Sequence, residues 1–88
     1  MKHVSIVVPT GGALTGIEVA RHIFTEVNDY LVNEGKGPLF NIALVGAWPA
    51  VQLNNGLFTI QVDATIHKTW KTDLIIIPAL HSTIADNL

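Results

Sequence analysis

"HVSIVVPTGGALTGIEVARHIFTEVN", residues 3–28, decides the fold, because its hydrophobic pattern changes period once, at a group of glycines. Residues 3–9 are a short β-branched apolar run closed by Pro9, which is typical of a strand buried on both faces. From Ile17 onward the apolar residues recur at three- and four-residue spacings, which predicts an amphipathic helix. The stretch therefore predicts a buried strand that turns sharply into a helix.

The segments on the C-terminal side of this stretch complete a βαβ unit. The helix is expected to end near Gly35, which readily takes the left-handed conformation, and Pro38 prevents its continuation. Residues 39–46 are another mostly apolar run of strand length. A strand, a helix and a strand in about 45 residues predict two parallel strands that lie side by side.

Three further elements are predicted downstream. Residues 54–56, Asn-Asn-Gly, separate two β-prone segments and tolerate positive φ, which predicts an antiparallel hairpin. Residues 63–72 are predicted to form a short helix with Asp63 as its cap. Residues 73–80, "DLIIIPAL", give the strongest signal for a buried strand.

This order of elements predicts an α/β fold with a doubly wound, mainly parallel sheet and an antiparallel hairpin. Strands that are apolar on both faces need helices on both sides, and one long and one short helix cannot cover them. A chain with 49% hydrophobic and 14% charged residues is also apolar for a small domain. We therefore expect residues 1–88 to be the N-terminal part of a single domain, with apolar surface left exposed.

Composition narrows the classes of function. No apolar run approaches the roughly 20 residues of a membrane span, and the N-terminus lacks the pattern of a signal peptide, so we expect a cytoplasmic protein without membrane contact. The chain has no cysteine and four scattered histidines, which predicts no metal site. A net charge of −2 without a basic cluster argues against direct DNA binding.

The glycine pattern does not fit the known phosphate-binding loops. A dinucleotide fingerprint needs glycines at the first, third and sixth positions, whereas residues 11–16 read Gly-Gly-Ala-Leu-Thr-Gly. A P-loop needs Lys and then Ser or Thr after its last glycine, and Ile17 and Glu18 stand there instead. We therefore expect no nucleotide and no cofactor.

Glu18 has two interpretations. Thr15 and Glu18 have the spacing of a capping box, in which each side chain accepts a hydrogen bond from the backbone N–H of the other residue. The same carboxylate follows the carboxyl end of the first strand, where open α/β sheets bind their ligands. The capping interpretation is the commoner one, and a carboxylate at this place can serve both purposes.

The segments "HVSIVVPTGGALTGIEVARHIFTEVN", "FNIALVG" and "TDLIIIPAL", together with the hairpin, resemble the N-terminal half of the ThiJ/PfpI domain of the class I glutamine amidotransferase-like superfamily. The resemblance is strongest to the version that precedes an AraC-type helix-turn-helix in bacterial transcription regulators. It spans nearly all 88 residues in order and spacing, and no single motif in it is diagnostic. It implies a flavodoxin-like fold, commonly dimeric, with a site at the carboxyl ends of the strands.

Catalytic members of that family use a cysteine on a strand-to-helix elbow, which the resemblance would put beyond Leu88. The acid that usually supports this cysteine corresponds to Gly16 here, two residues before Glu18. Ala79 and Leu80 stand where many members have glycines that help to hold an oxyanion. These departures favour a descendant that senses a ligand or is purely structural over an enzyme.

The sequence and the resemblance together predict a non-enzymatic domain of an AraC-type transcription regulator that senses a small molecule or dimerises. DNA would be contacted only through a separate helix-turn-helix region. The rim of the ligand site is predicted to comprise six residues: Gly11, Gly12, Glu18, Ala79, Leu80 and His81. The alternative is a hydrolase, glyoxalase or deglycase of the same family, with Glu18 assisting a cysteine beyond Leu88. A third interpretation is a flavodoxin-like nucleotide or flavin module.

Overall fold

The computed structural model of the chain describes residues 1–66 and 72–78. In these residues one helix and six strands follow one another as β1 (Lys2–Val7), α1 (Leu14–Asn33), β2 (Phe40–Gly46), β3 (Ala50–Leu53), β4 (Phe58–Gln61), β5 (Ala64–Thr65) and β6 (Leu74–Ile76). Four strands form a parallel sheet in the order β5-β2-β1-β6, and β3 pairs with β4 in a separate antiparallel sheet. The predicted α/β class with a parallel sheet and a hairpin is confirmed.

The centre of the parallel sheet is β1, as its apolar sequence predicted. It pairs with β2 over its whole length, from Lys2 opposite Phe40 to Val7 opposite Val45. On its other side it pairs with β6, where Val4 lies opposite Leu74. The expectation that the first two long strands are parallel neighbours is confirmed.

The core lies between the sheet, α1 and the hairpin. Its fully buried members come from all three: Val4, Ile6, Val8, Ile17, Val51 and Leu53. On the helix side, Phe24 meets Phe40 of β2 edge to face, with ring centroids 4.9 Å apart. Burying a side chain as large as Ile6 or Ile17 contributes about 2 kcal/mol, so this cluster fixes α1 and the hairpin relative to β1.

The C-terminal end of α1 is closed as predicted. Gly35 has φ of +76°, in the left-handed region that costs glycine little. Its N–H donates to the Val32 carbonyl at 3.0 Å, and the Lys36 N–H donates to the Leu31 carbonyl at 2.9 Å. These two bonds form a Schellman motif, which satisfies carbonyls that the last helical turn leaves without partners.

The hairpin also forms where predicted. Asn54, Asn55 and Gly56 have φ of 53°, 56° and 84°, and the Gly56 N–H closes the turn on the Leu53 carbonyl at 3.1 Å. Val51 and Leu53 point into the core, and the residues of β3 and β4 that alternate with them are polar or small. The hairpin therefore has one apolar and one solvated face.

The predicted short helix over residues 63–72 is wrong at its start. Ala64 and Thr65 form β5, which pairs in parallel with the end of β2. Asp63 caps no helix: its N–H donates to the Leu44 carbonyl at 2.8 Å, and its carboxylate accepts from the Leu44 N–H at 2.7 Å. The open edge of β2 supplied partners for these backbone groups that no local pattern reveals. Residues 67–71 of the predicted helix lie outside the described part of the chain.

Apolar surface remains exposed at many of the described residues, as expected, and two places bear on function. On β6, which is shorter than the predicted strand, Ile75 is 52% exposed, and Ile77 just after it is 73% exposed. The second place, which we call the α1 stripe, consists of exposed residues three or four positions apart on the helix: Val19, Ile23, Val27 and Tyr30. The stripe lies on a different face of α1 from Ile17 and Phe24, which pack on the sheet.

Candidate functional site

The glycine loop, residues 8–13, connects β1 to α1 through a tight turn. The Gly12 N–H donates to the Pro9 carbonyl at 2.9 Å, and Gly11 between them has φ of +78°. A positive φ at the third residue is what a type II turn requires, so Gly11 is used for its backbone freedom. Gly12 is buried, and a side chain there would lie 2.9 Å from the ring and 3.0 Å from the carbonyl oxygen of Pro9.

The tip of the β3–β4 hairpin is bonded to this loop at three points. The Gly11 N–H donates to the Gln52 carbonyl at 2.9 Å, and the Asn54 N–H donates to the Gly12 carbonyl at 3.0 Å. The Asn54 side-chain oxygen accepts from the Leu14 N–H at 2.9 Å, so Asn54 caps α1 from a distance in sequence. Sequence reasoning identified Asn54 as a turn residue but missed this second use.

The loop lies at the point where the order of the parallel strands reverses. The chain passes from β1 through α1 to β2 on one side, and later reaches β6 on the other side of β1. The carboxyl ends of β1 and β6 are therefore adjacent, and open α/β sheets bind ligands in the crevice at such a switch point. Of the predicted rim residues, Gly11 and Gly12 lie at this edge. Residues 79–81, which were also predicted for the rim, lie outside the described residues.

The predicted capping box at the start of α1 is wrong. The helix begins at Leu14 with Ala13 as N-cap, and Ala13 makes no side-chain capping bond. Thr15 and Glu18 are consequently inside the first two turns. The capping box does not form because the Asn54 side chain supplies the acceptor at the helix start. Arg21, one turn after Glu18, binds the Glu18 carboxylate.

Glu18 forms a two-bond ion pair on the exposed surface of α1. The Arg21 guanidinium donates to it at 2.6 Å through Nη2 and at 2.8 Å through Nε. The hydrogen bond from Arg21 holds the pKa of the Glu18 carboxyl below its ordinary value, although desolvation acts in the opposite direction. Both side chains are about half exposed, so the pair is solvated. Glu18 is therefore an ionised carboxylate at neutral pH and a poor proton donor.

A groove lies between α1 and β2. It has a volume of about 440 Å³ and is lined by Arg21, Thr25, Asn28, Phe40, Ile42, Leu44 and Asp63. Asn28 uses its amide to hold the start of β2, donating to the Phe40 carbonyl at 2.8 Å and accepting from two backbone N–H groups. The Asp63 carboxylate is bonded to the Leu44 N–H. Asn28 and Asp63 thus hold backbone groups of β2, and the described lining of the groove contains none of Gly11, Gly12 and Glu18.

Across residues 1–66 and 72–78, no three His, Asp or Glu side chains come together in a group that would hold a metal ion. No helix in the same ranges is long and apolar enough to cross a membrane. Comparison with known proteins found no family model that matches the chain and no curated protein that matches it.

Proposed function

We propose that this chain is the N-terminal half of a flavodoxin-like domain of the ThiJ/PfpI type, and that it acts in the cytoplasm as a small-molecule-sensing or dimerisation domain of an AraC-type transcription regulator. The observation that carries the proposal is the order of three of the parallel strands, β2, β1 and β6. When the antiparallel hairpin and the two-residue β5 are left out, β1, β2 and β6 are the first, second and third strands along the chain. They lie side by side in the order 2-1-3, which begins the flavodoxin-like order. The two-residue β5 adds an extra edge beyond β2.

The glycine loop is the proposed near side of the ligand crevice. Gly11 and Gly12 turn the chain at the carboxyl end of β1, and Glu18 begins the second turn of the helix that follows. The polar Glu18–Arg21 pair on this helix suits recognition of a polar group on a small metabolite. Ala79, Leu80 and His81 are the proposed far side.

The state of Glu18 supports a sensor more than an enzyme. An acid that assists a cysteine in a crevice is usually shielded from water and has its pKa adjusted by that setting. Glu18 is instead solvated and neutralised by Arg21. The alternative, a hydrolase, glyoxalase or deglycase, keeps Glu18 as the partner of a cysteine beyond Leu88. The sequence encoded after Leu88 separates the two, since a cysteine on a strand-to-helix elbow favours the enzyme and a helix-turn-helix favours the regulator.

Ligand sensing is tested with a matched pair of substitutions on α1. Thermal unfolding of the wild type would be followed in the presence of fractions of small metabolites, together with the variants Glu18→Gln and Glu26→Gln. Both variants remove one exposed carboxylate from the same helix, and Glu26 lies two turns farther from the glycine loop, where it pairs with His22. A ligand of the proposed rim raises the midpoint of the wild type and of Glu26→Gln by a few degrees, and that of Glu18→Gln by less. Equal shifts in both variants, or no shift with any fraction, would contradict the proposal.

The α1 stripe supports the dimerisation part of the proposal. Ile23 is 55% exposed and Tyr30 is 62% exposed, and a run of apolar residues along one helix face is a common seam between helices. Light scattering after size exclusion would compare the wild type with Ile23→Lys and with His22→Lys. The control places the same new side chain one position earlier, on the polar face of α1. We expect Ile23→Lys to shift the protein to monomer and His22→Lys to leave the dimer. A monomeric wild type would contradict a dimer of these residues.

A further inference from the structure

The border of the α1 stripe that faces away from the sheet carries two polar side chains of complementary character. His22 and Glu26 lie one turn apart on α1, and the His22 Nε2 is 3.1 Å from a Glu26 carboxylate oxygen. Both side chains are mostly exposed, so another molecule can reach them. By helical spacing they lie beside Val19 and Ile23 of the stripe. The stripe is thus bordered by a nitrogen donor and a carboxylate.

The stripe itself is open to a partner. Arg21, Thr25 and Asn28 line the groove toward β2, whereas the stripe lies on the opposite flank of the helix, where its apolar side chains are exposed. It is centred between Ile23 and Val27, so a second copy can pack its own stripe there about a two-fold axis. Each copy would then present the same surface to the other.

The polar border is complementary to itself when the two helices run antiparallel. A two-fold axis perpendicular to α1 brings the same border of both stripes together, and side chains at the border of a helix seam set the orientation of the pair. His22 of one copy then lies opposite Glu26 of the partner subunit, and the reciprocal contact forms across the axis. A parallel pair would instead place this border against the border where Ala20 packs toward the core.

The ends of α1 also favour the antiparallel arrangement. Within α1, all of which the structure describes, no residue of the first turn is acidic and no residue of the last turn is basic. Glu34, the C-cap, adds a negative charge at the end that the helix dipole already makes negative. An antiparallel partner brings the negative end of each helix beside the positive end of the other, whereas a parallel partner brings like ends together.

We propose that the α1 stripe binds the α1 stripe of a second copy in antiparallel orientation, and that His22 and Glu26 set this orientation through contacts across the two-fold axis. The inference rests on the dimerisation part of the proposed function and adds how the two copies are arranged. Both copies use the same residues, so the interface closes on itself and gives a dimer rather than a filament.

Disulfide cross-linking distinguishes the two orientations, because the chain has no cysteine of its own. Val19→Cys and Tyr30→Cys place single thiols at the two ends of the stripe. These ends are about 17 Å apart along a helix, whereas a disulfide needs Cα atoms within about 7 Å of each other. We expect the two variants to cross-link with each other when they are refolded together and oxidised, and neither to cross-link alone. A cross-link in Val19→Cys alone, or a dimer without any cross-link, would overturn the proposal.

A second experiment tests the contact between His22 and Glu26 across the axis. His22→Glu makes both border positions acidic, and Glu26→His makes both of them imidazoles. Contacts within each helix are the same in mixed and single-variant dimers, so only contacts between helices separate them. We expect native mass spectrometry of the refolded mixture to show mixed dimers favoured about fivefold beyond the statistical ratio, the factor for two exposed pairs of this kind. A statistical mixture would overturn the role of the two residues.

Failure of this inference and failure of the proposed function give different results. A wild type that is monomeric in light scattering overturns the dimer itself and its orientation with it. A wild-type dimer with a parallel cross-link, or with a statistical mixture of the two border variants, overturns the antiparallel arrangement alone. The sensing proposal is judged separately, by the thermal shifts with metabolite fractions.

Discussion

At its C-terminal end α1 is closed by its own neighbours in sequence, whereas at its N-terminal end it is closed by Asn54, forty positions after Leu14. The C-terminal closure uses Gly35 and Lys36, whose N–H groups donate to carbonyls of the last helical turn. It needs no other part of the protein. The N-terminal closure exists only when the hairpin is folded and packed against the glycine loop.

The C-terminal closure of α1 is determined by the local sequence, whereas the N-terminal closure depends on tertiary contacts. A Schellman motif is one of the local signals that end helices, and glycine is its usual residue. A cap supplied from a distant turn leaves no such local signal. It makes the start of α1 depend on the packing of the hairpin against the glycine loop.

The largest expected effect is at the N-terminal end, in Gly12→Ala. The new methyl group would lie 2.9 Å from the Pro9 ring and 3.0 Å from its carbonyl oxygen, so the loop must shift and its bond with Asn54 with it. Overpacking of this kind costs about 2 kcal/mol, which lowers the thermal midpoint of a small domain by on the order of 10 °C. Thermal unfolding measures it. An unchanged midpoint would mean that the loop adapts without cost and that its close packing is unimportant.

A smaller effect is expected at the C-terminal end, in Gly35→Ala. No atom lies within 4 Å of the added methyl group, so the cost is only that of placing alanine at φ of +76°. We expect a loss of about 1 kcal/mol, half of the loss for Gly12→Ala, and a partial recovery with Gly35→Asn. Chemical unfolding of the three variants measures this order. Equal losses for Gly12→Ala and Gly35→Ala would remove the distinction between packing and backbone conformation at the two ends.

The elements predicted from sequence are those whose signals are local. Hydrophobic period predicted β1, α1 and β2, and turn residues predicted Gly35 and the hairpin at Asn54. Pairing of β5 escaped prediction because two residues carry no period, and their partner is the edge of β2, about twenty positions earlier. Local propensity alone favoured a helix there, and the available strand edge overrode it.

Of the residues predicted for the site, the position of the two glycines could be predicted from sequence, whereas their role stays a prediction. Gly11 and Gly12 directly follow β1 in an α/β pattern, and this was enough to place them at the edge where β1 and β6 end. The interaction of Glu18 was mistaken although a signal was present, since an acid and an arginine three positions apart on a helix favour an ion pair. Asn54 was missed as a loop partner because only the packing of the hairpin brings it there.

The smallest expected effect tests the rejected capping box directly, through Thr15→Ala. A Thr15 that capped α1 would make its loss cost about 1 kcal/mol. In the structure Ala13 is the N-cap and Thr15 is an exposed residue inside the first turn, where alanine is the better helix former by about 0.5 kcal/mol. We therefore expect chemical unfolding of Thr15→Ala to give an equal or slightly higher free energy of unfolding. A loss near 1 kcal/mol would restore the local cap, and the two ends of α1 would then both be closed by residues of the helix itself.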